Sequence, residues 1–371
     1  MPCYQPNMMA QSWNPITQKW MNGKYINAKR PNFKGYEWYE KFNNNPEMTQ
    51  NGMYRWVRTN CRECIGCSEA YAKEWACRSV LEAEYHKESY FVTLTYSDKY
   101  LPITNIFTYD KKTYYDDGTW GGYLDYKAVN KFIRAVRDWQ RREFGINGIK
   151  FFGCGEYGDE RNTERPHFHI IFFGLHIPPE EVKVHSIRNG EILYECPKLA
   201  SFWVNDRKHQ VEPNGFVSVA ECNYQTCRYV AGYVQKKRNK FLLANVNYNK
   251  LQYYASKGQT PEKTFVSTHP GIGKAYFNEH AQEFFIDDYI LIKGAKKKIV
   301  AARIPKTFDR WIEGEAPGAM AIRKEQRKNA ALKAQDVKMS MTSLSIKEQL
   351  KIEEANKEAK MLIFKYRDSK R

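Results

Sequence analysis

Nowhere does the chain carry an apolar run of the about 18–20 residues that a membrane span requires. Its first residues, MPCYQPNMMAQSW, lack both a charged segment leading into an apolar one and the Arg-rich make-up of a transit peptide, so the protein is expected to stay in the compartment where it is made. A P-loop of the form GxxxxGKS or GxxxxGKT is missing as well. The nearest stretch, HPGIGKAY, has the wrong spacing, which argues against an ATP-driven motor within this chain. Acidic residues are in deficit: 42 Asp and Glu face 59 Lys and Arg, a net charge of +17 with a pI near 9.3. Cysteines number nine, an odd count at irregular spacing, which without an export signal reads as thiols or metal ligands rather than disulfides. No internal repeat is present.

What is abundant is rings. Aromatic residues make up 15% of the 371 residues, with 26 Tyr and 9 Trp. Excess positive charge interleaved with flat side chains suits a polyanion whose bases can stack, above all single-stranded nucleic acid. The competing reading is a generic basic surface, because charge says nothing about fold. The length allows one large domain with extensions, or two domains.

Residues 1–60, rich in Asn, Pro, Tyr, Trp and Lys, show no sustained periodicity and are expected to form an extended, mostly irregular N-terminal extension. Ser68 is a possible cap for a helix running to about residue 87, and SYFVTLTY, residues 89–96, reads as a strand. DYKAVNKFIRAVRDWQRREFG is the cleanest helix. Asp125 caps it, Gly145 stops it, and Val129, Phe132, Ile133 and Val136 fall at i, i+3, i+4, i+7. Its off-stripe Lys131, Arg134, Arg137, Arg141 and Arg142 form a basic face, either solvated or turned to phosphate. IKFFGCGEYG is expected to be a strand broken at Gly153 and Gly155, GFVSVAEC another strand, and CNYQTCRYVAGYVQKKRNK a helix. From about residue 316 the composition is that of a helical tail or partner-binding arm.

The stretch ERPHFHIIFFG carries chemistry. It is β-branched and aromatic and ends at Gly174, so it predicts a strand on which His167, His169 and Ile171 share one face and Phe168, Ile170 and Phe172 the other. Two imidazoles on one face can converge on a metal ion; two hydrogen-bonded histidines at a sheet end are the bland alternative. Glu156 precedes the pair and could reach the same face as a third ligand. In RYVAGYVQKK, Tyr229 and Tyr233 are four apart on a helix face, with Lys236 and Lys237 continuing along that side. Gly232 between them is unexpected, since glycine costs about 1 kcal/mol in a helix interior. It could allow a close backbone approach or be a weak point. Together these parts suit attack of a phenol on a phosphodiester. A divalent ion held by two His and one carboxylate would stabilise phosphoryl charge, and Lys236 would lower the phenol pKa or steady the pentacoordinate phosphate.

The order FVTLTY, then CGEYG…RPHFHIIFFG, then YVAGYVQKK resembles the three motifs of HUH endonucleases, and most of all the replication initiators of microviruses, small single-stranded DNA phages. MPCY, CRECIGC, FVTLTYSDKYLP and HPGIG look like pieces of the gokushovirus-type version. The resemblance runs in order from about residue 61 to 280, so the expected organisation is an N-terminal extension (1–60), an HUH endonuclease domain (61–280) and a charged, largely helical C-terminal region (281–371). It implies an α+β fold with a central antiparallel sheet, flanking helices and the His pair on a middle strand. It implies His167 and His169 as ligands of Mg²⁺ or Mn²⁺, and Tyr229 and Tyr233 as alternating nucleophiles. Related phage proteins carry a lysine where this chain has Gly232, which leaves Lys236 for that role. Arg165, Lys237 and Arg238 flank these motifs as expected DNA contacts.

CRECIGC places Cys61, Cys64 and Cys67 at good spacing for part of a zinc site; Cys3 and Cys77 compete to be the fourth ligand. Reduced cysteines around a helix start, with no metal, are the alternative. Cys154, Cys222 and Cys227 read as small buried thiols.

The expected activity is nicking of origin DNA, single-stranded or duplex, with a 5′-phosphotyrosine link, followed by rejoining, in rolling-circle replication of a circular single-stranded phage genome. Host helicase, polymerase and single-strand binding protein would be its partners in the cytoplasm of an infected bacterium, with no membrane. The rivals are an HUH transposase or relaxase, and a non-catalytic single-stranded DNA-binding protein.

Overall fold

A computed structural model describes residues 3–14, 16–17, 19–26, 54–62, 64–102, 122–158, 165–188, 191–206, 208–236, 259–294 and 298–369. In chain order the main elements are β1 (Asn7–Asn14), β2 (Lys19–Ile26), β3 (Tyr54–Thr59), α1 (Ile65–Ala83), β4 (Ser89–Leu94) and α2 (Tyr126–Phe144). Then come β5 (Lys150–Tyr157), β6 (Pro166–Phe173), β7 (Lys183–Arg188), β8 (Glu191–Glu195), β9 (Val217–Glu221) and α3 (Tyr224–Lys236). The last are β10 (Thr264–Val266), α4 (Lys274–His280), β11 (Tyr289–Lys293), β12 (Ile299–Arg303), α5 (Lys306–Glu315), α6 (Pro317–Ser340) and α7 (Ile346–Ser369). The chain divides into two compact units, one of residues 1–71 with 321–371 and one of residues 72–320. None of the described helices is long and apolar enough to cross a membrane.

The 72–320 unit is α+β. Its large sheet has seven strands in the order β10-β5-β6-β4-β9-β8-β7, every neighbouring pair antiparallel, and β11 and β12 form a separate two-stranded sheet. The alternation expected for the histidine strand is what builds its two cores. Phe168, Ile170 and Phe172 face α2, where Val129, Phe132, Ile133 and Val136 are buried. Ile171 and Phe173 face the other way, against Ala76 and Leu81 of α1 and Val230 and Ala231 of α3. Each large side chain so buried contributes about 1.5–3 kcal/mol.

Helix α2 forms where its period placed it. Asp125 Oδ1 accepts from the Lys127 and Ala128 amides at 2.8 and 3.1 Å, and Gly145 ends the helix with φ +67°. Its five basic residues are exposed, on the sheet face away from the histidines, and Arg137 is spent on the Ile149 carbonyl at 2.7 Å.

Four expectations need correction. The N-terminal segment is not irregular where it is described, since β2-β1-β3 form a three-stranded antiparallel sheet. Its pairing joins Asn7 to Thr59, too far apart in sequence to leave a local period, and its hairpin turns on Asn14, whose Oδ1 accepts from the Ile16 and Thr17 amides. Ser68 lies inside α1, which ends at Ala83. Gly153 and Gly155 do not break β5. A Cβ at Gly153 would meet the Phe265 ring at 2.6 Å, and one at Gly155 the Tyr126 hydroxyl at 2.7 Å, so these glycines admit close neighbours within a continuous strand. Finally, residues 281–320, grouped by composition with the charged tail, supply Phe284, Ile290, Ile292, Ile304, Phe308 and Ile312 to the second core.

The HPGIG turn is absorbed by structure. Arg78 donates to the Ile272 carbonyl at 3.1 Å, and the Gly273 amide donates to Glu82 Oε2 at 2.6 Å. Glu82, only 1% exposed, also meets Lys150 at 2.8 Å and His86 at 2.9 Å, tying α1 to β5. Burial pushes its carboxyl up, and His86, Lys150 and the Gly273 amide outweigh that and hold it below its ordinary value. Its stabilisation is therefore complete above the unfolded value of about 4.3 and is lost as the pH falls through the lower folded one. Glu82→Gln is expected to reduce stability at neutral pH by about 3 kcal/mol, because Lys150 is left buried without its counter-charge. In urea titrations across pH, the gap from the parent should close under acid conditions.

Candidate active site

Three elements meet at the second core. β5 and β6 pair so that Glu156 lies directly opposite His167 and Cys154 opposite His169. This register carries the Glu156 carboxylate onto the histidine face. Glu156 Oε2 is 3.3 Å from His167 Nε2 and 3.2 Å from His169 Nε2, without the alignment of a hydrogen bond to either. The two imidazole rings are 5.0 Å apart and nearly perpendicular. Glu156 and His169 are 6% and 5% exposed, so the cluster is set into the protein rather than on it.

The outer nitrogens are held from behind. His167 Nδ1 is 3.0 Å from the Arg165 carbonyl. A carbonyl only accepts, so Nδ1 carries the proton, and in the neutral ring Nε2 turns a lone pair toward Glu156. His169 Nδ1 is 3.0 Å from Thr93 Oγ1, and its ring stacks at 5.5 Å on Phe91. Lone pairs of nitrogen and oxygen facing one another at such distances repel unless a cation or a proton stands between them. Burial pushes the Glu156 carboxyl up, and imidazole protons turned toward it outweigh that and hold it below its ordinary value; a divalent cation in the same place would act in the same sense.

The donor set fits a divalent ion. Ligands about 2.1 Å from a metal are separated by about 3.0 Å at right angles and about 3.4 Å in a tetrahedron. The observed 3.2 and 3.3 Å lie between these, and all three donor atoms are within 4.8 Å of one another. Two imidazoles and one carboxylate, held by a carbonyl and a hydroxyl behind them, form a rigid partial coordination sphere.

Helix α3 crosses this face. Tyr229, 39% exposed, sets its ring 5.1 Å from that of His169 and 5.9 Å from Phe91, edge-on to both. Val230 and Ala231, on the inward side, are fully buried and anchor the helix against the sheet. Tyr233 and Lys236 belong to the same helix by backbone, but their side chains lie outside the described residues, as do Lys237 and Arg238 altogether. Arg165 is engaged within the fold: it pairs with Asp98 and donates to the Tyr96 carbonyl at 2.7 Å. Cys154 and Cys227 are buried, and Cys222 is half-buried with its sulfur 3.7 Å from that of Cys227.

Thr93 and Phe91 were not anticipated. They alternate with the core residues Val92 and Leu94 on β4, and Thr93 pairs directly with His169. The signal was present in FVTLTY, but only the register between β4 and β6 turns it into a contact. At Gly232 an added Cβ would meet nothing within 4 Å. Gly232→Ala is therefore expected to raise stability by about 0.5–1 kcal/mol in thermal unfolding without disturbing the cluster.

Comparison with known proteins fits this arrangement. A family model described as replication-associated protein ORF2/G2P matches residues 89–238. The replication-associated protein ORF2 of Spiroplasma virus 4 is 32% identical over 256 residues, covering 69% of this chain and 68% of that protein. The chain belongs to this family of microvirus-type replication-associated proteins. A second member, the replication-associated protein ORF4 of Chlamydia phage 1, is 28% identical over 238 residues, covering 63% of this chain and 49% of the relative's own length. No solved structure matches. In this replication-associated protein, the matched stretch runs from the first residue of β4 to just beyond α3 and so holds Glu156, His167, His169 and Tyr229 together.

Proposed function

We propose that the protein is an HUH-type endonuclease that initiates rolling-circle replication of a circular single-stranded phage genome, by nicking and rejoining origin DNA through tyrosine. The observation that carries this reading is the Glu156–His167–His169 cluster with the Tyr229 ring beside it. Family membership supports the biological setting, and the net charge of +17 supports a nucleic-acid substrate.

The Tyr229 phenol oxygen attacks a backbone phosphorus. A bond forms between that oxygen and phosphorus, the bond from phosphorus to the 3′ oxygen breaks, and the phenol proton is lost while the departing oxygen gains one. The products are a 5′-phosphotyrosine and a 3′-OH. One phosphodiester replaces another, so rejoining needs no ATP, in keeping with the missing P-loop. Glu156, His167 and His169 would hold Mg²⁺ or Mn²⁺, which supplies Lewis-acid stabilisation of charge on the phosphoryl oxygens. The carboxylate suits both ions, and the imidazoles favour manganese over magnesium. Thr93 and the Arg165 carbonyl keep the imidazoles turned inward. Burial of Glu156 and His169 limits competing water. Tyr233, one helical turn from Tyr229, would serve as the second nucleophile. Lys236 would steady the pentacoordinate phosphate, and Lys237 and Arg238 would contact the strand. The 3′-OH would prime a host polymerase in the bacterial cytoplasm, with host helicase and single-strand binding protein clearing the way.

An origin-bearing oligonucleotide incubated with the protein and Mg²⁺ or Mn²⁺ tests the reading on a denaturing gel. A shifted protein–DNA adduct that chelator prevents is the expected result. DNA retained under native conditions with no adduct under denaturing ones would instead mark a binding protein.

A further inference from the structure

The second cysteine cluster lies outside this chemistry. Cys3, Cys61, Cys64 and Cys67 belong to the unit of residues 1–71 and 321–371, and their four sulfurs lie within 4.8 Å of one another. Cys61 and Cys67 sulfurs are 3.9 Å apart, and those of Cys3 and Cys64 are 3.8 Å apart. Those separations are nearly twice a disulfide bond of about 2.05 Å. They match the edge of a tetrahedron, about 3.8 Å, whose corners are sulfurs about 2.3 Å from a central zinc. We propose that these four cysteines hold a structural zinc ion.

Three features support the assignment. Backbone amides aim at the sulfurs: the Tyr4 amide at Cys64 (3.3 Å), the Cys61 amide at Cys3 (3.2 Å) and the Cys64 amide at Cys61 (3.2 Å). Such donors stabilise thiolates and orient them toward a metal. Arg62 adopts φ +64°, a conformation uncommon outside glycine, at the bend that turns the Cys64 amide back to Cys61. Four protein ligands also leave no open position, which is the mark of a structural rather than a catalytic zinc.

Among the unit's residues whose burial is described, the buried apolar side chains are Pro6, Met8, Cys64 and Ile65. Polar contacts also join its two segments, such as Gln5 to Glu354 (2.9 Å), Arg58 to Gln335 (2.5 Å) and Lys357 to Glu69 (2.6 Å). The zinc would bind residue 3 to residues 61–67, just beyond the paired ends of β1 and β3, where Asn7 meets Thr59. Cys77, the competing fourth ligand, is instead buried in the second core, where its thiol is pushed up to about 12 by that burial.

Elemental analysis of the full chain, purified under reducing conditions without chelator, is expected to find about one zinc per chain. The metal should persist in His167→Ala/His169→Ala, which separates this site from the histidine cluster and its chemistry. It should be lost in Cys61→Ser and in Cys64→Ser. Because those variants could fail to fold, the unmutated chain loaded with Co²⁺ gives an independent readout: intense visible bands and thiolate charge transfer, the signature of tetrahedral four-sulfur coordination. Absence of stoichiometric zinc, iron in its place, zinc that leaves with the histidines, or a weak octahedral cobalt spectrum would each overturn the proposal.

Discussion

His169→Ala is expected to reduce covalent adduct formation at least about a thousandfold. The loss follows from geometry rather than from folding. Removing one imidazole leaves Glu156 Oε2 with a single partner, His167 at 3.3 Å, and a two-ligand remnant has little hold on a divalent ion. Lewis-acid stabilisation of a transferring phosphoryl group is worth several kcal/mol, and about 4 kcal/mol is a factor of a thousand in rate. The variant assayed with Mn²⁺ should be no faster than the unmutated protein in chelator, and chelator should slow the variant no further. That second equality is the stricter test, since a mutation acting only through the fold would leave a metal-dependent remainder. Circular dichroism of the variant should match that of the parent, because β6 remains paired on both sides.

The second large effect is expected from Tyr229→Phe. The substitution removes one oxygen and keeps the ring that packs 5.1 Å from His169 and 5.9 Å from Phe91. With 39% of the residue exposed, the fold should change in stability by no more than about 0.5 kcal/mol. The first cut should nevertheless fall at least about a thousandfold, since phenylalanine has no nucleophile and the rest of the site is intact. Tyr233→Phe should leave the first cut and lose the transfer that rejoins the strand. Equal loss from both single variants would mean the two rings act as one unit; a wild-type first cut by Tyr229→Phe would reassign the nucleophile.

Elements whose signal is local were legible in the sequence. Helix α2 announced itself because its stripe, its Asp125 cap and its Gly145 stop all fall within one stretch. The two faces of β6 followed from alternation alone, and the i,i+4 spacing of Tyr229 and Tyr233 suited the helix that carries them. What depended on register was not legible. Glu156 was named, but from its position before the histidines; its place directly opposite His167 requires β5 to run unbroken through Gly153 and Gly155, which composition read as a break. Thr93 and Phe91 share this cause, since nothing within FVTLTY says which residue will face His169. In the N-terminal sheet the β1–β3 pairing spans about 50 residues and leaves no local period, whereas the β1–β2 hairpin is local and was simply not read; β11, β12 and α5 were missed because their charged surroundings concealed the few side chains that reach the core. Cys3, by contrast, could only be a rival of Cys77 until the fold brought it to the CxxCxxC.

The most direct test of the central claim is mass spectrometry of a protease digest after reaction with an origin oligonucleotide and Mn²⁺. The account predicts a peptide carrying Tyr229 with a 5′-linked nucleotide, absent when chelator is present and absent from His169→Ala. A nucleotide attached to a residue outside α3, or an adduct that forms equally well without a divalent ion, would contradict it.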